Sequence, residues 1–454
     1  MSFKKNQLVE LYITDISAEG HGVGHLEGMV VFVPLSAPGD VLEVLLVKVN
    51  KNHAYGKIIK VQTPSADRIQ NSCPVYGKCG GCAFRHMSYA AELKAKLNIA
   101  ANAVKRIGGS DIIPEVIIPS PFIEGYRNKA VLPFGIVNGE IKLGFYAGRS
   151  HRLVAVKNCA LCPKEFADIQ KTALGFMQER NISVYDETTG KGLLRHMYLR
   201  RGEHDGEICL CFVINGDGIP GEKELAEIMT RKFPKITGVL VNVHKGRGNA
   251  NIGESFRLVQ GRAHINDGIC GMKIRINPRS FYQVNTGAAE LMLQTAFEMI
   301  SIPPAEKVLD LFCGAGTIGL FFAKNRPDIQ VMGIEIEAQA VADAEENAKI
   351  NGLTNIRFTE ADLSASDSLP GLLEGSGTIF LDPPRKGLDS VTAAAIAKSR
   401  PRQILYISCD PATFARDLRF LGQHGYKLTK IKAVDIFPRT KHVEAVVLLQ
   451  RHDS

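Results

Sequence analysis

The sequence predicts a multidomain α/β protein: a small OB-like β-barrel over residues 1–62, an α+β middle domain over 63–270 and a doubly wound domain over 271–454. Three observations predict it. Short apolar runs broken by glycine fill the N-terminal stretch, as in a small barrel. Strand-like runs surround a helix through the middle of the chain. Beyond residue 271, strands alternate with helices, the pattern of a parallel sheet covered on both faces.

Composition sets the outer limits. Of 454 residues, 45% are apolar and 22% charged, so the chain can bury more than one core and is not a disordered polymer. A net charge of +8 suits a polyanionic partner. No apolar run reaches the roughly 18 residues that suggest a membrane helix, and Met1-Ser-Phe-Lys-Lys-Asn6 lacks the apolar core of a secretion signal. A cytoplasmic, monomeric protein with no membrane partner is expected. Ten cysteines then argue for thiol chemistry or a metal centre rather than disulfides.

In the barrel, Leu8 to Ile13, Met29 to Val33, Val41 to Val49 and Tyr55 to Val61 read as strands, with Gly20, Gly22, Gly24, Gly28 and Gly39 as punctuation. Six lysines against six acids make it no basic patch. Next come Cys73, Cys79 and Cys82, whose intervening Gly80-Gly81 lets three thiolates turn toward one centre. A fourth ligand is needed, and Cys159 and Cys162 are the candidates. Structural zinc and a [4Fe–4S] cluster both take such ligands. Residues 88–107 carry Leu93, Leu97, Ala100 and Val104 at helical spacing, with Lys94, Lys96, Lys105 and Arg106 between them. That predicts an amphipathic helix with a basic face. Arg127, Lys129, Arg149, His151 and Arg152, interleaved with Tyr126, Phe134 and Tyr146, then suit a single-stranded RNA surface.

The C-terminal third opens with Val308-Leu-Asp-Leu-Phe312, a short buried strand. Gly314, Gly316 and Gly319 follow with G-x-G-x-x-G spacing, the turn that brings backbone N–H groups to a nucleotide-like ligand. Glu335 ends the next strand and is placed to hold ribose hydroxyls. This signature alone does not separate a dinucleotide from S-adenosylmethionine. Asp310, Glu335, Asp362, Asp382 and Cys409 lie in or beyond strand ends, so they can share one crevice.

Cys409 selects the chemistry. A hydride-transfer enzyme needs no cysteine there and no Asp382-Pro-Pro corner. A thiolate adding at C6 of uracil makes the otherwise weak C5 nucleophilic toward a sulfonium methyl. A base must then take the C5 proton. Glu444, opening the last strand, is the candidate, and His442 is its competitor.

At these residues the chain resembles the RNA uracil-C5 methyltransferases. Phe281-Tyr-Gln283-Val-Asn285, Leu309 to Gly316, Leu381-Asp-Pro-Pro-Arg-Lys-Gly387, Ser408-Cys409-Asp-Pro411 and Thr440-Lys-His-Val-Glu444 occur in that family's order. The cysteine set resembles its iron–sulfur branch, which acts on 23S ribosomal RNA, and the barrel looks like a TRAM domain. The resemblance covers essentially the whole chain. It implies a Rossmann-like methyltransferase domain, with Cys409 as nucleophile and Glu444 as base. Gln283, Phe312, Glu335, Asp362 and Asp382, beside Gly314 and Gly316, would surround S-adenosylmethionine. Cys73, Cys79, Cys82 and Cys159 would hold [4Fe–4S], and the segment near 90–118 would pack on the catalytic domain. The family's Cys-Pro is Cys159-Ala160 here, with Cys162-Pro163 following, and its Ser-Cys-Asn-Pro is Ser-Cys-Asp-Pro. The alternatives are a transfer-RNA uracil methyltransferase and an inactive RNA-binding protein on the same fold. Intact Cys409, Glu444 and Gln283 speak against the second.

Overall fold

The computed structural model describes residues 3–148, 150–248, 250–365 and 369–452. Arg149, counted above among the basic residues, lies outside them. Among the described residues, no helix is long and apolar enough to cross a membrane.

Five strands, Leu8–Ile16, Gly22–Leu26, Met29–Val33, Val41–Val49 and His53–Thr63, close into a barrel. Gly22 and Gly24 are not punctuation, as the sequence suggested, but lie inside a strand. A Cβ at Gly24 would stand 2.6 Å from the Tyr12 carbonyl oxygen. Only glycine allows the strands to approach so closely there.

The middle sheet has seven strands in the order Ser255–Gly261, Ile236–Val243, Ile208–Ile214, Leu194–Arg201, Lys129–Val137, Glu140–Tyr146, Leu153–Ala155. Its central strands are buried on both faces. One face packs on the Glu165–Glu179 and Glu222–Lys232 helices, and the other joins the core of the C-terminal domain through Tyr198, Cys209, Cys211 and Leu240.

The C-terminal sheet has eight strands. Ile356–Glu360, Gln330–Glu335, Lys307–Leu311, Thr378–Leu381 and Gln403–Ser408 run parallel, followed by antiparallel Glu444–Arg451, then Tyr426–Val434 and Ile117–Ile118. Strand order reverses between Lys307–Leu311 and Thr378–Leu381, so a crevice opens at their carboxyl ends. The edge pair of Ile117–Ile118 with Ala433 and Val434 threads an early segment onto the late sheet.

The Tyr89–Ala103 helix runs into a single π-helical turn, Val104–Gly108, and lies against the Pro411–Gln423 helix. The basic face read from the sequence is corrected here. Lys94 is exposed, but Lys96 is fully buried. A lysine enters a core only when its ammonium is paired, and Lys96 donates to Glu92, Asp435 and the Phe437 carbonyl.

Candidate active site

The crevice begins at the glycine turn. Phe312, Gly314 and Gly316 all have left-handed backbones, with φ of 62°, 54° and 83°. For Phe312 that is strained, and such strain persists where the surroundings over-determine it. A Cβ at Gly316 would meet the Phe358 ring at 2.8 Å, whereas one at Gly314 would meet nothing within 4 Å, so the turn is packed below and open above. That open cradle at a helix N-terminus fits an adenosyl ligand.

Carboxylates ring the cradle. Glu335 accepts from the Gly314 amide at 3.0 Å and from its own following amides at 2.9 and 3.1 Å, which fixes it at the mouth. Asp310 lies beneath, fully buried. Its Oδ2 accepts from the Gly319 amide at 2.8 Å, while Oδ1 has no partner among the described residues. Burial, opposed by that hydrogen bond and aided by Asp382 and Glu335, pushes the Asp310 carboxyl up to about 7. Burial raises Asp382 to about 7 as well. Asp362 is exposed and held in a local turn by Ser364. Gln283 lines the adjoining cavity.

Cys409 sits where the Gln403–Ser408 strand gives way to the Pro411–Gln423 helix. Asp410 caps that helix, accepting from Ala412 and Thr413 at 3.0 Å each. The cap fixes the corner and leaves the half-buried thiol facing a cleft of about 720 Å³. Barrel residues including Phe32 and His25, the Asn102–Ile107 turn, Arg385 and His442 form its other walls. Lys441 pairs with Glu19 across the same cleft.

Strand register brings Glu444 to the thiol. Ser408 pairs with Ala445 in the antiparallel ladder, so the next pair outward is Cys409 with Glu444. Burial pushes the thiol up to about 12, with the Glu444 and Asp382 charges adding and Arg385 opposing. Burial and Asp382 raise Glu444 to about 8, again against Arg385. Burial beside Arg385 and Lys441 lowers His442 to about 4, which keeps its ring neutral. Arg385 reaches that ring at 3.4 Å. Sequence reasoning did not single out this arginine; its signal was its place directly after Asp382-Pro-Pro.

Cys73, Cys79, Cys82 and Cys159 line one cavity of about 430 Å³ together with Arg127, Gln283, Arg385 and His442. Cys162 is buried and does not line it. Among the described residues, no group of three or more His, Cys, Asp or Glu side chains is arranged to hold a single metal ion. The expected metal centre is therefore met only as far as four thiols around a shared space. Lys129 departs from the expected RNA surface. Its ammonium sits 5.4 Å from the Tyr198 ring, and burial lowers it to about 8.

Comparison with known proteins agrees with this geometry. The family described as tRNA (Uracil-5-)-methyltransferase matches residues 374–452, a methyltransferase domain matches 302–370 and a TRAM domain matches 3–59. An RNA methyltransferase of uncharacterised specificity from Clostridium tetani is 36% identical over 449 residues, covering 98% of this chain and 97% of its own. This chain belongs to the RNA (uracil-C5) methyltransferases. A counterpart from Halalkalibacterium halodurans is 35% identical over 98% of the chain. The crystal structure of the Pyrococcus abyssi tRNA (uracil-54, C5)-methyltransferase with S-adenosyl-L-homocysteine has a TM-score of 0.77 and 29% identity, covering 97% of this chain and 99% of that one. As a member of this family the enzyme carries an N-terminal TRAM barrel, uses S-adenosylmethionine and acts on RNA.

The raised acids give this methyltransferase a pH signature. A carboxyl whose folded pKa exceeds its unfolded value binds its proton more tightly in the fold. Stability is then highest below the unfolded value and falls as pH rises through the folded one. With Asp310 and Asp382 near 7 and Glu444 near 8, the melting temperature of ligand-free enzyme should fall from about pH 5 to pH 8. Asp310→Asn keeps an acceptor for Gly319 and should flatten the fall. An unchanged slope would mean that Asp310 is ionised throughout.

Proposed function

We propose that this enzyme methylates C5 of one uridine in 23S ribosomal RNA through a covalent bond between Cys409 and C6. The observation that carries the reading is the Cys409–Glu444 pair across adjacent strand ends, with the Asp382 charge acting on both groups. When bound, S-adenosylmethionine supplies the methyl as an electrophilic sulfonium. Gln283, Phe312, Gly314, Gly316, Glu335, Asp362 and Asp382 would hold it.

Cys409 loses its proton to solvent as RNA enters, and its sulfur adds at C6. The C5–C6 π electrons move toward C5 and O4, and C5 then accepts the methyl as its bond to sulfur breaks, leaving the neutral thioether S-adenosylhomocysteine. Glu444 takes the C5 proton, and Cys409 leaves as thiolate while the C5–C6 double bond re-forms. The net proton released is the one from C5. Glu444 suits the task because burial pushes its carboxyl up to about 8, close to working pH, and because the strand register sets it opposite Cys409. His442, lowered to about 4, is the weaker base.

Residues 1–62 would dock RNA, 63–270 would carry the cysteine centre and Arg127, and 271–454 would transfer the methyl in the cytoplasm. The target must be flipped from its stack to reach Cys409. A transfer-RNA target is the second reading, favoured by the Pyrococcus abyssi enzyme's tRNA substrate on the same architecture. Mass mapping of 5-methyluridine in a deletion strain separates the two. Loss from 23S RNA supports the first reading, loss from tRNA the second, and loss from neither overturns both.

We assign a structural [4Fe–4S] cluster to Cys73, Cys79, Cys82 and Cys159. In a cubane each iron takes its own thiolate, and the four thiols around one cavity supply that number and kind of ligand. Protein purified without air should be brown, with about four irons per chain. Cys159→Ser should lose them, and Cys162→Ser should keep them. Stoichiometric zinc without iron would replace the assignment.

A further inference from the structure

The segment that delivers Glu444 is anchored by a charge network with no place in the chemistry described so far. Lys96, Glu92 and Asp435 have fully buried side chains, and Arg439 nearly so. Lys96 Nζ donates to Glu92 at 2.8 Å, to Asp435 at 2.8 Å and to the Phe437 carbonyl at 3.0 Å, which uses all three of its protons. Glu92 also accepts from the Arg439 backbone amide at 2.6 Å and from its guanidinium at 3.3 Å. Tyr89 donates to the other Asp435 oxygen at 2.9 Å. Two positive and two negative charges thus bridge the Tyr89–Ala103 helix to a loop more than 330 residues later, as the Lys96–Asp435 separation of 339 shows.

A buried network of this kind is a poor source of stability, since apolar side chains of similar volume hold two elements together at least as well. What it fixes is one arrangement. Arg439 has φ of 69°, a left-handed backbone that a non-glycine residue adopts only when its neighbours force it. The forcing contacts are present: its amide and guanidinium bind Glu92, and its carbonyl accepts from Ala83 and Phe84 at 2.8 and 3.1 Å. From there Thr440 donates to the Phe437 carbonyl at 2.8 Å and accepts from the His442 amide at 3.3 Å. The strained residue therefore sets the path of the chain into His442 and Glu444.

We propose that Lys96, Glu92, Asp435 and Arg439 are positioning residues that hold Glu444 in reach of the C5 proton. This rests on Glu444 being the base. The test uses the full-length K96M/D435N double variant, which removes one charge of each sign and leaves the Glu92–Arg439 pair intact. RNA carrying 5-fluorouridine, which traps after methyl transfer because no proton is available to remove, reads Cys409 attack and methyl transfer without the base step. Trapping per folded molecule should match wild type. Turnover on ordinary RNA should fall about 10- to 100-fold, the cost of misplacing a catalytic group, and methylated RNA should accumulate as a covalent adduct. K96R should restore turnover in part. Y89F, a milder change, should shift the balance in the same direction and covers the case in which the double variant does not fold. If trapping and turnover fall together in step with the melting temperature, the network is merely structural and the proposal is wrong. Glu444→Gln, run alongside, separates the two levels: adduct in Glu444→Gln but not in K96M/D435N overturns the positioning role, and adduct in neither overturns the base assignment along with it.

Discussion

Cys409→Ala is expected to bind both RNA and S-adenosylmethionine, to form no covalent adduct, and to lose activity by about 10⁴-fold or more, the scale of removing a nucleophile. Glu444→Gln should fail differently. Addition and methyl transfer need no base at C5, so this variant should proceed to the methylated adduct and stop. Enzyme and RNA would then remain joined through a thioether that survives a denaturing gel. The electrostatics sharpen the contrast. Glu444 carries its proton below about pH 8, so release of product by wild type should speed up as pH rises toward 8. In Glu444→Gln that rise should vanish. His442→Ala should turn over at a reduced but measurable rate, because its neutral ring is not needed to accept the proton. A trapped adduct in His442→Ala with free turnover in Glu444→Gln would exchange the two roles. No adduct in any variant, nor in active enzyme given 5-fluorouridine RNA, would remove Cys409 as the nucleophile.

The parts of this site legible in the sequence are those set by local patterning. A buried strand, a glycine turn and a helix follow one another from Lys307 to Asn325, and each has a short-range signature. Cys409 and Glu444 were legible because each stands at the end of a strand, and strand ends at the mouth of a parallel sheet converge. The glycines of the barrel misled, because Gly22 and Gly24 serve a close approach between strands and not a turn. Helical spacing assigned Lys96 to a wet face, yet its partner Asp435 lies 339 residues away and no local pattern could announce it. The same limit hid the continuity between the four thiols and Gln283, Arg385 and His442, which arises only when five distant segments meet. Lys129 carries a charge in sequence, but its place on a strand against Tyr198 desolvates it.

Arg385 is the residue whose loss should do the most damage outside the Cys409–Glu444 pair. Burial, with the Glu444, Asp382 and Asp410 carboxyl groups adding to it, pushes the thiol up to about 12, which leaves almost none of it as thiolate at neutral pH. Of the charges that raise or lower the Cys409 and Glu444 values, Arg385 is the cation acting on both, and it favours the ionised form of each. It also touches His442 and lines both cavities. Arg385→Gln should therefore slow adduct formation by about 10- to 100-fold, since each unit of thiol pKa is about 1.4 kcal/mol of ionisation. The pH dependence of adduct formation should move to more alkaline values, while affinity for S-adenosylmethionine stays near wild type. Arg385→Lys should recover part of the rate by restoring charge without the planar fork. A phosphate contact is the competing role, and the salt dependence of RNA binding tells them apart. If Arg385 only grips phosphate, the variant's salt slope should drop by about 0.7 to 0.9, with the trapping rate of saturated enzyme and its pH profile unchanged. A retained slope with an alkaline-shifted trapping rate would place the guanidinium's work on the thiol itself.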